Sequence, residues 1–249
     1  AFSFKGQTAV VTGGANGIGR AVATGLARSG AHVVVMDLDF SAAQFAVSEI
    51  MKEGLSAKAI CVDVKDEVQV DQAMKQAYEL HQRLDILINN AGIAIRKPTI
   101  ELDLADWNRV LEVNLTGVFL CARSAARFMI KRGSGAIVNT ASIMGLSGGG
   151  LYPNISYQST KGAIINLTRA LAVEWAPHQI RVNAIAPTWV ETDFIKPLLA
   201  QPDLIEKIKG LTPLGRLAKP EDMVGPFIFL CAPCSSMVTG HTLAVDGGF

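Results

Sequence analysis

Short runs of apolar, β-branched residues recur along this chain and alternate with longer stretches of helical periodicity. Several runs are apolar at every position, such as 33–35 and 86–88, and strands buried on both faces are typical of parallel sheets covered by helices. This alternation predicts an α/β fold with a doubly wound sheet of about seven parallel strands and helices on both faces. The predicted strands are 8–12, 32–37, 57–62, 85–89, 136–140, 180–186 and 242–245. The predicted helices lie near 17–29, 41–54, 67–82, 104–131, 155–176 and 221–230.

Size and composition favour one domain and exclude several classes of protein. The 249 residues suit a single α/β domain over 1–249, and 49% hydrophobic with 18% charged residues excludes a disordered chain. The net charge of +1 offers no basic stripe, so we expect no nucleic-acid partner. No charge-free window is long enough for a membrane span. The strand pattern starts at Thr8 with no leader pattern before it, so we expect a cytoplasmic protein.

One segment interrupts the alternation of strands and helices. Residues 187–220 lie between the last two predicted strands and are punctuated by prolines. A long insertion of this kind between core elements is often a binding lid, because loops on a rigid scaffold carry function. We therefore predict that 187–220 covers a substrate site.

A glycine-rich turn follows the first predicted strand, with the sequence T-G-G-A-N-G-I-G at 12–19. Its glycines allow close backbone approach, and the following helix N-terminus offers unpaired N–H groups to a pyrophosphate. The second strand ends at Asp37, where a carboxylate accepts hydrogen bonds from ribose hydroxyls and repels a 2′-phosphate. The turn and Asp37 predict NAD rather than NADP in a Rossmann-type fold. A methyltransferase stays open at this point, because it also places an acidic residue after its second strand. The predicted contacts in the turn are Gly13, Asn16, Gly17, Ile18 and Gly19.

A tyrosine and a lysine four residues apart distinguish between these two classes. Tyr157 and Lys161 share one helix face, and Ser142 follows the fifth predicted strand, where ligands bind in open α/β sheets. Oxidation of an alcohol needs a base for the hydroxyl proton, and a free tyrosine has a pKa of about 10. A nearby ammonium lowers that pKa, while a serine can hold the substrate oxygen. The three residues predict hydride transfer between a nicotinamide and a secondary alcohol or ketone.

These motifs, taken in order, resemble the short-chain dehydrogenase/reductase family in its compact single-domain form. The resemblance covers essentially the whole chain and includes N-N-A-G at 89–92 and V-D-G-G at 245–248. It implies that Asn114 holds a water in a proton relay to the lysine, that no catalytic metal is needed, and that the chain forms a homotetramer. The implied catalytic residues are Asn114, Ser142, Tyr157 and Lys161.

The resemblance also implies further cofactor contacts, residue by residue. Asp63 and Val64 correspond to the pair that flanks the adenine, and Lys161 to the residue that reaches the nicotinamide ribose. The other implied contacts are Asn90, Ala91 and Gly92 on the adenosine and ribose side, and Tyr157, Pro187, Val190 and Thr192 on the nicotinamide side.

The substrate pocket is expected between Ser142 and the proline-rich segment. Thr188 stands where the family usually has glycine, which changes the entrance to the lid. Tyr152 has no lysine four residues on, so we exclude it as the base. Polyols, sugars, cyclic alcohols and hydroxy acids all stay open as substrates. The candidate pocket residues are Ser142, Met144, Gly149, Tyr152, Trp189, Phe194 and Leu198.

Two alternative functions remain beside the dehydrogenase. An NADP-linked carbonyl or 3-ketoacyl reductase is disfavoured by Asp37, and a non-catalytic NAD-binding module is disfavoured by the intact catalytic set. Cys231 and Cys234 form a C-x-x-C without the partners of a zinc site, and we interpret them as buried small apolar residues.

Overall fold

The computed structural model describes residues 2–249, and in that range seven strands form one parallel sheet. The strand order is β3-β2-β1-β4-β5-β6-β7, so the prediction of a doubly wound sheet is confirmed. Each predicted strand is present, with its ends within one residue of the expected positions. The strands are β1 (Thr8–Thr12), β2 (His32–Asp37), β3 (Ala57–Cys61), β4 (Ile86–Asn89), β5 (Gly135–Thr140), β6 (Ile180–Pro187) and β7 (Thr242–Val245).

The helices cover both faces of the sheet, which explains why the central strands are apolar at every position. Ala9 and Val11 of β1 point into one core, and Val10 between them points into the other, because successive strand residues face opposite sides. The helices are α1 (Gly17–Arg28), α2 (Phe40–Lys52), α3 (Glu67–His81), α4 (Leu104–Leu111), α5 (Gly117–Arg132), α6 (Ile155–Trp175), α7 (Lys196–Leu199), α8 (Pro202–Leu211) and α9 (Pro220–Cys231). The first core contains side chains of α1, α2 and α9, and the second contains side chains of α3, α5 and α6. Within residues 2–249 no helix combines the length and apolar character required to cross a membrane.

The helix predicted over 104–131 is divided in the structure. A π-helical turn, Glu112–Thr116, joins α4 to α5 and carries Asn114 at its centre. The apolar periodicity of the sequence continues through this turn, so it gave no sign of the widened backbone. Such turns are rare and are found mostly at functional sites.

The strand order places a crevice at the carboxyl end of β1. The chain proceeds from β1 outward to β2 and β3, and then returns to place β4 on the other side of β1. The loops after β1 and β4 therefore leave the sheet in opposite directions, and the space between them is where such folds bind ligands.

The segment 187–220 folds back over the carboxyl ends of β5 and β6 and contains α7 and α8. Its apolar side chains share a buried cluster with Ile143 and Met144, which follow β5. The cluster members from the segment are Trp189, Ile195, Leu198, Ile208 and Leu217. The segment is thus fixed to the loop after β5 by apolar packing.

The two cysteines of the C-x-x-C differ in their surroundings. Cys231 is buried, as expected, and burial raises the pKa of its thiol to about 12. Cys234 is exposed, so its interpretation as a buried apolar residue was wrong. It follows the end of α9, where Arg181 donates hydrogen bonds to the carbonyl oxygens of Leu230 and Cys231. This contact satisfies carbonyl groups that a helix end leaves without partners.

Candidate active site

A cleft of about 420 Å³ opens at the carboxyl ends of β1, β2, β4 and β5. It runs along the crevice that the strand order predicts, and it brings together most of the residues expected to bind a dinucleotide. The predicted contacts that line it are Gly13, Asn16, Gly17, Ile18, Asp37, Asp63, Val64, Asn90, Ala91, Gly92, Tyr157, Lys161 and Thr192. Pro187 and Val190 line an adjoining pocket instead, and Gly19 lies beneath the turn at 12–19.

The glycines of this turn are required by close backbone packing. Gly13 has φ +59°, and a Cβ there would lie 2.8 Å from the Cα of Ala91. A Cβ on Gly19 would overlap the carbonyl oxygen of Gly13 and would lie 2.6 Å from Nδ2 of Asn90. The turn lies directly against the loop after β4, and for this reason neither position tolerates a side chain. The start of α1 is left open to the cleft, as a pyrophosphate needs.

The side chain of Thr12 ties the loops after β1 and β4 together. Its hydroxyl accepts hydrogen bonds from the backbone N–H groups of Asn90 and Ala91, at 3.1 and 3.2 Å. Asn90 in turn donates from Nδ2 to the carbonyl oxygen of Gly13, at 3.0 Å. These bonds fix the floor of the cleft before any ligand binds, which lowers the entropy cost of binding.

Asp37 lies at the end of β2 with both carboxylate oxygens held by backbone groups. Oδ2 accepts a hydrogen bond from the N–H of Ala15, and Oδ1 accepts one from the N–H of Asp39, both at 3.1 Å. An oriented carboxylate at this end of the cleft suits the two hydroxyls of an adenosine ribose. The glycine turn, the open helix start and Asp37 together fit a dinucleotide.

Tyr157 and Lys161 line the other end of the cleft, and Ser142 lies beside Tyr157 in an adjoining pocket. Ser142 follows β5, and its hydroxyl accepts a hydrogen bond from the N–H of Met144 at 3.1 Å. Tyr157 lies on the first turn of α6. Lys161 lies one turn further along α6 and is 4% exposed. Its ammonium donates to the carbonyl oxygen of Thr140 at 2.5 Å and lies 5.4 Å from the centre of the Tyr157 ring. A phenol, a hydroxyl and an amine are thus held beside the same cleft.

Burial sets the protonation of these groups before a ligand binds. It raises the pKa of Tyr157 to about 12, although the hydrogen bond with Ser142 and the charge of Arg96 act in the opposite direction. It lowers the pKa of Lys161 to about 7. Both shifts favour the uncharged form, because a charge is costly in a dry site without a partner. Perturbed titratable groups in a cleft are typical of active sites.

Asn114 is fully buried, and its amide is occupied by protein groups. Oδ1 accepts a hydrogen bond from the N–H of Ile93 at 2.8 Å, and Nδ2 donates to the carbonyl oxygen of Ile93 at 2.9 Å. Nδ2 also lies 3.2 Å from the hydroxyl of Thr160 on α6. Asn114 therefore joins the loop after β4 to the helix that carries Tyr157 and Lys161.

A smaller pocket of about 70 Å³ adjoins the cleft at Tyr157 and Phe194. It contains the predicted substrate residues Ser142, Met144, Tyr152, Trp189 and Phe194. Gly149 lies outside its lining, in a turn where a Cβ would press on the side chain of Gln158, and Leu198 lies in the apolar cluster behind it.

Polar residues of this pocket were missed in the sequence, among them Arg96 and Asn154. Arg96 follows N-N-A-G by four residues and lines the pocket, as does Asn154, which is 3% exposed and precedes α6. A single arginine within the apolar run after Gly92 was the available signal for the first. Asn154 gave no signal, because an asparagine before a helix is ordinarily a cap.

Comparison with known proteins agrees with this geometry. The family model described as Enoyl-(Acyl carrier protein) reductase matches residues 13–249. The cis-4-hydroxycyclohexanecarboxylate dehydrogenase of Sinomonas cyclohexanicum is 43% identical over 99% of this chain and 98% of its own length. The 3-oxoacyl-acyl-carrier-protein reductase of Aquifex aeolicus is 38% identical over 98% of this chain and 97% of its own length.

A solved structure of similar shape is that of a gluconate 5-dehydrogenase from Burkholderia cenocepacia J2315 in complex with NADP and tartrate. It shares 35% identity, has a TM-score of 0.94, and the match covers 99% of this chain and 96% of that one. With the cleft, the Ser–Tyr–Lys geometry and these matches, the chain belongs to the short-chain dehydrogenase/reductase family.

Proposed function

We propose that the protein is an NAD-dependent oxidoreductase that interconverts a secondary alcohol and its ketone. The observation that carries this proposal is the placement of Tyr157 and Lys161 at one end of a cleft whose other end holds Asp37, with Ser142 beside Tyr157 in the adjoining pocket. The relatives support the same class of reaction, because their names describe dehydrogenases and reductases of hydroxyl and keto groups.

At the reacting end, Ser142 and Tyr157 hold the substrate oxygen between two hydroxyl groups. In the oxidation direction the Tyr157 oxygen takes the hydroxyl proton as general base, and in the reduction direction it returns a proton to the carbonyl oxygen. Ser142 donates a hydrogen bond to the same oxygen and keeps it within reach of the phenol. The nicotinamide, when bound, would take up or supply the hydride and bring a positive charge that favours the phenolate.

Lys161 has two tasks in this proposal. Its protonated form stabilises the phenolate of Tyr157 through space, since no other lysine lines the cleft near the ring. Its bond to the carbonyl oxygen of Thr140 fixes the amine at the carboxyl end of β5, within reach of a nicotinamide ribose. Asn114 holds the adjoining loop through Ile93, and the water relay from Lys161 remains part of this proposal.

The direct test follows the absorbance of reduced nicotinamide with purified protein, NAD or NADP, and a panel of alcohols. The panel contains polyols, sugars, cyclic alcohols and hydroxy acids. We expect turnover with at least one class and a preference for NAD. Turnover only with NADPH and ketones would favour the carbonyl or 3-ketoacyl reductase, and no turnover with intact NAD binding would favour the non-catalytic module.

The preference for NAD is expected to depend on the charge of Asp37. Asp37→Asn removes that charge and keeps an oxygen for the N–H groups of Ala15 and Asp39. We expect the ratio of kcat/KM for NAD to that for NADP to fall by about 10–100-fold, because one charged hydrogen bond is worth about 1.5–3 kcal/mol. Steady-state kinetics with both cofactors measures this ratio.

Asp39→Asn is the matched control for Asp37→Asn. Asp39 carries the same charge two residues away and caps α2 through a bond from the N–H of Ala42, which asparagine also accepts. The control should leave the NAD to NADP ratio within about threefold. If both variants had the same NAD to NADP ratio of kcat/KM as the unsubstituted protein, Asp37 would not determine the cofactor preference.

We also propose a cytoplasmic homotetramer. Apolar side chains are exposed on α5 and α6, including Phe119, Ile130 and Val173, and the last is 78% exposed. Apolar surface on long helices is suited to a symmetric interface. Light scattering should give four times the mass of one chain, and a mass of one chain would contradict the proposal.

A further inference from the structure

Arg96 is a cation inside the small pocket, and the reaction chemistry proposed above does not use it. It lies in the loop after β4 and lines the pocket with Ser142, Tyr152, Tyr157 and Phe194. Its side chain is half-buried, unlike the exposed ends of most surface arginines. A positive charge at this place needs an explanation in terms of what the pocket binds.

Two aromatic rings hold the guanidinium in position. Its Cζ lies 5.8 Å from the centre of the Tyr152 ring and 5.4 Å from the centre of the Phe194 ring. The Tyr152 ring is itself fixed, because its hydroxyl accepts a hydrogen bond of 2.8 Å from Nε1 of Trp189. The guanidinium is therefore oriented before a ligand binds, which is the condition for a selective contact.

Arg96 has no counter-charge among the residues that the structure describes. Within residues 2–249 no carboxylate lies within 4.0 Å of it. Its side chain makes one hydrogen bond to the described part of the chain, a long one from Nη2 to the carbonyl oxygen of Phe194 at 3.4 Å, and its Nε is buried without a partner there. The arginines that do pair with carboxylates are Arg28, Arg83, Arg123, Arg127, Arg132 and Arg216.

The position of Arg96 relative to Tyr157 suits the far end of a small substrate. Phe194 lies between them, with its ring centre 5.7 Å from that of Tyr157 and 5.4 Å from the guanidinium. A second unpartnered group lines the same pocket, since Oδ1 of the buried Asn154 accepts no hydrogen bond within residues 2–249. Buried polar groups without partners are costly, so both groups indicate a polar ligand.

We propose that the substrate carries a carboxylate that Arg96 binds, so that the enzyme interconverts a hydroxy acid and a keto acid. A planar guanidinium offers paired N–H donors that match a carboxylate, and this contact is strong where water is excluded. The Tyr152 hydroxyl, which accepts from Trp189, still has its own proton to donate to the same group. This inference rests on the proposed function for the reaction at Tyr157, but not for the binding of the anion.

The first test measures binding without turnover. Cyclohexanecarboxylate and its uncharged carboxamide have the same ring and no hydroxyl to oxidise, and calorimetry with protein saturated with NAD compares their affinities. We expect the carboxylate to bind about 10–100-fold more tightly than the amide, from one charged hydrogen-bonded contact. Arg96→Gln should remove this difference, and Arg96→Lys should keep part of it.

Lys207→Gln provides the matched control, because Lys207 is an exposed cation on α8 outside the pocket. It should leave the preference for the carboxylate unchanged. Equal affinities of the carboxylate and the amide for the unsubstituted protein would overturn the proposal, as would a preference that persists in Arg96→Gln.

The second test measures turnover with hydroxy acids, their primary amides and a sugar phosphate. Arg96→Gln should raise KM for the hydroxy acids by about 10–100-fold and change KM for the amides by less than about threefold. Preferential oxidation of the phosphate ester would overturn the carboxylate assignment. Carboxylate binding that depends on Arg96, with no turnover of any compound, would refute the proposed reaction and leave the anion site in place. Turnover of hydroxy acids that does not depend on Arg96 would refute the anion site and leave the proposed reaction in place.

Discussion

Tyr157→Phe is expected to lower kcat for alcohol oxidation by about 10²–10⁴-fold, the usual contribution of a positioned general base. The substitution removes the hydroxyl that lines the small pocket with Ser142 and keeps the ring that packs beside Phe194. NAD affinity should stay within about threefold, because the glycine turn and Asp37 lie elsewhere in the cleft. Steady-state kinetics and NAD titration measure the two quantities separately.

The pH dependence of the unsubstituted enzyme belongs to the same prediction. Burial raises the pKa of Tyr157 to about 12 in the unliganded site, so the phenol keeps its proton at neutral pH. Because oxidation requires the phenolate, its rate should increase with pH until the phenol of the ternary complex is titrated. Reduction requires the protonated phenol and should decrease over the same range.

Tyr78→Phe serves as the matched control for Tyr157→Phe. Tyr78 lies on α3 and stacks on Phe128 with ring centres 4.7 Å apart, away from the cleft. Its substitution should leave kcat and its pH dependence unchanged. If Tyr157→Phe retained near-complete turnover, Tyr157 would not be the base, and the proposal for the reacting end would fail.

The second large effect is expected from Gly19→Ala in the first turn of α1. An added Cβ would overlap the carbonyl oxygen of Gly13 and press on Asn90, which donates a hydrogen bond to that oxygen. Both obstacles belong to the floor of the cleft, and a backbone carbonyl cannot move aside as a flexible side chain can. We expect NAD affinity to fall by more than about 100-fold and stability to fall by about 1–3 kcal/mol, as overpacking does.

Gly210→Ala separates this steric effect from the general effect of replacing a helical glycine. Gly210 lies in α8 with nothing within 4 Å of an added Cβ. Alanine there should raise stability by up to about 1 kcal/mol and leave NAD affinity unchanged. Thermal unfolding and calorimetric NAD titration of both variants supply the comparison. Undiminished NAD affinity in Gly19→Ala would show that the turn does not hold the cofactor.

The sequence by itself determined the features that depend on local pattern. Apolar runs such as 33–35 require burial on both faces, so a parallel sheet between helix layers was predictable. The glycine turn is a local backbone requirement, and the spacing of Tyr157 and Lys161 is a local helical one. The residues that produce each of these features are close to one another in the chain.

The tertiary structure alone decided how distant residues meet. The contacts of the Arg96 guanidinium with two aromatic rings join the loop after β4 to Tyr152 and to Phe194, which lies 98 residues away in the chain. The buried bond from Asn89 to Asn139 joins β4 to β5 across 50 residues, and the sequence pattern did not indicate that these two asparagines are partners. The π-helical turn carries Asn114, whose Nδ2 donates to the hydroxyl of Thr160 on α6, 46 residues away, and apolar periodicity indicates neither the turn nor this partner. Such contacts depend on packing between elements that are distant in the chain. The sequence sets the charge and size of each residue, whereas the tertiary structure determines which residues it contacts.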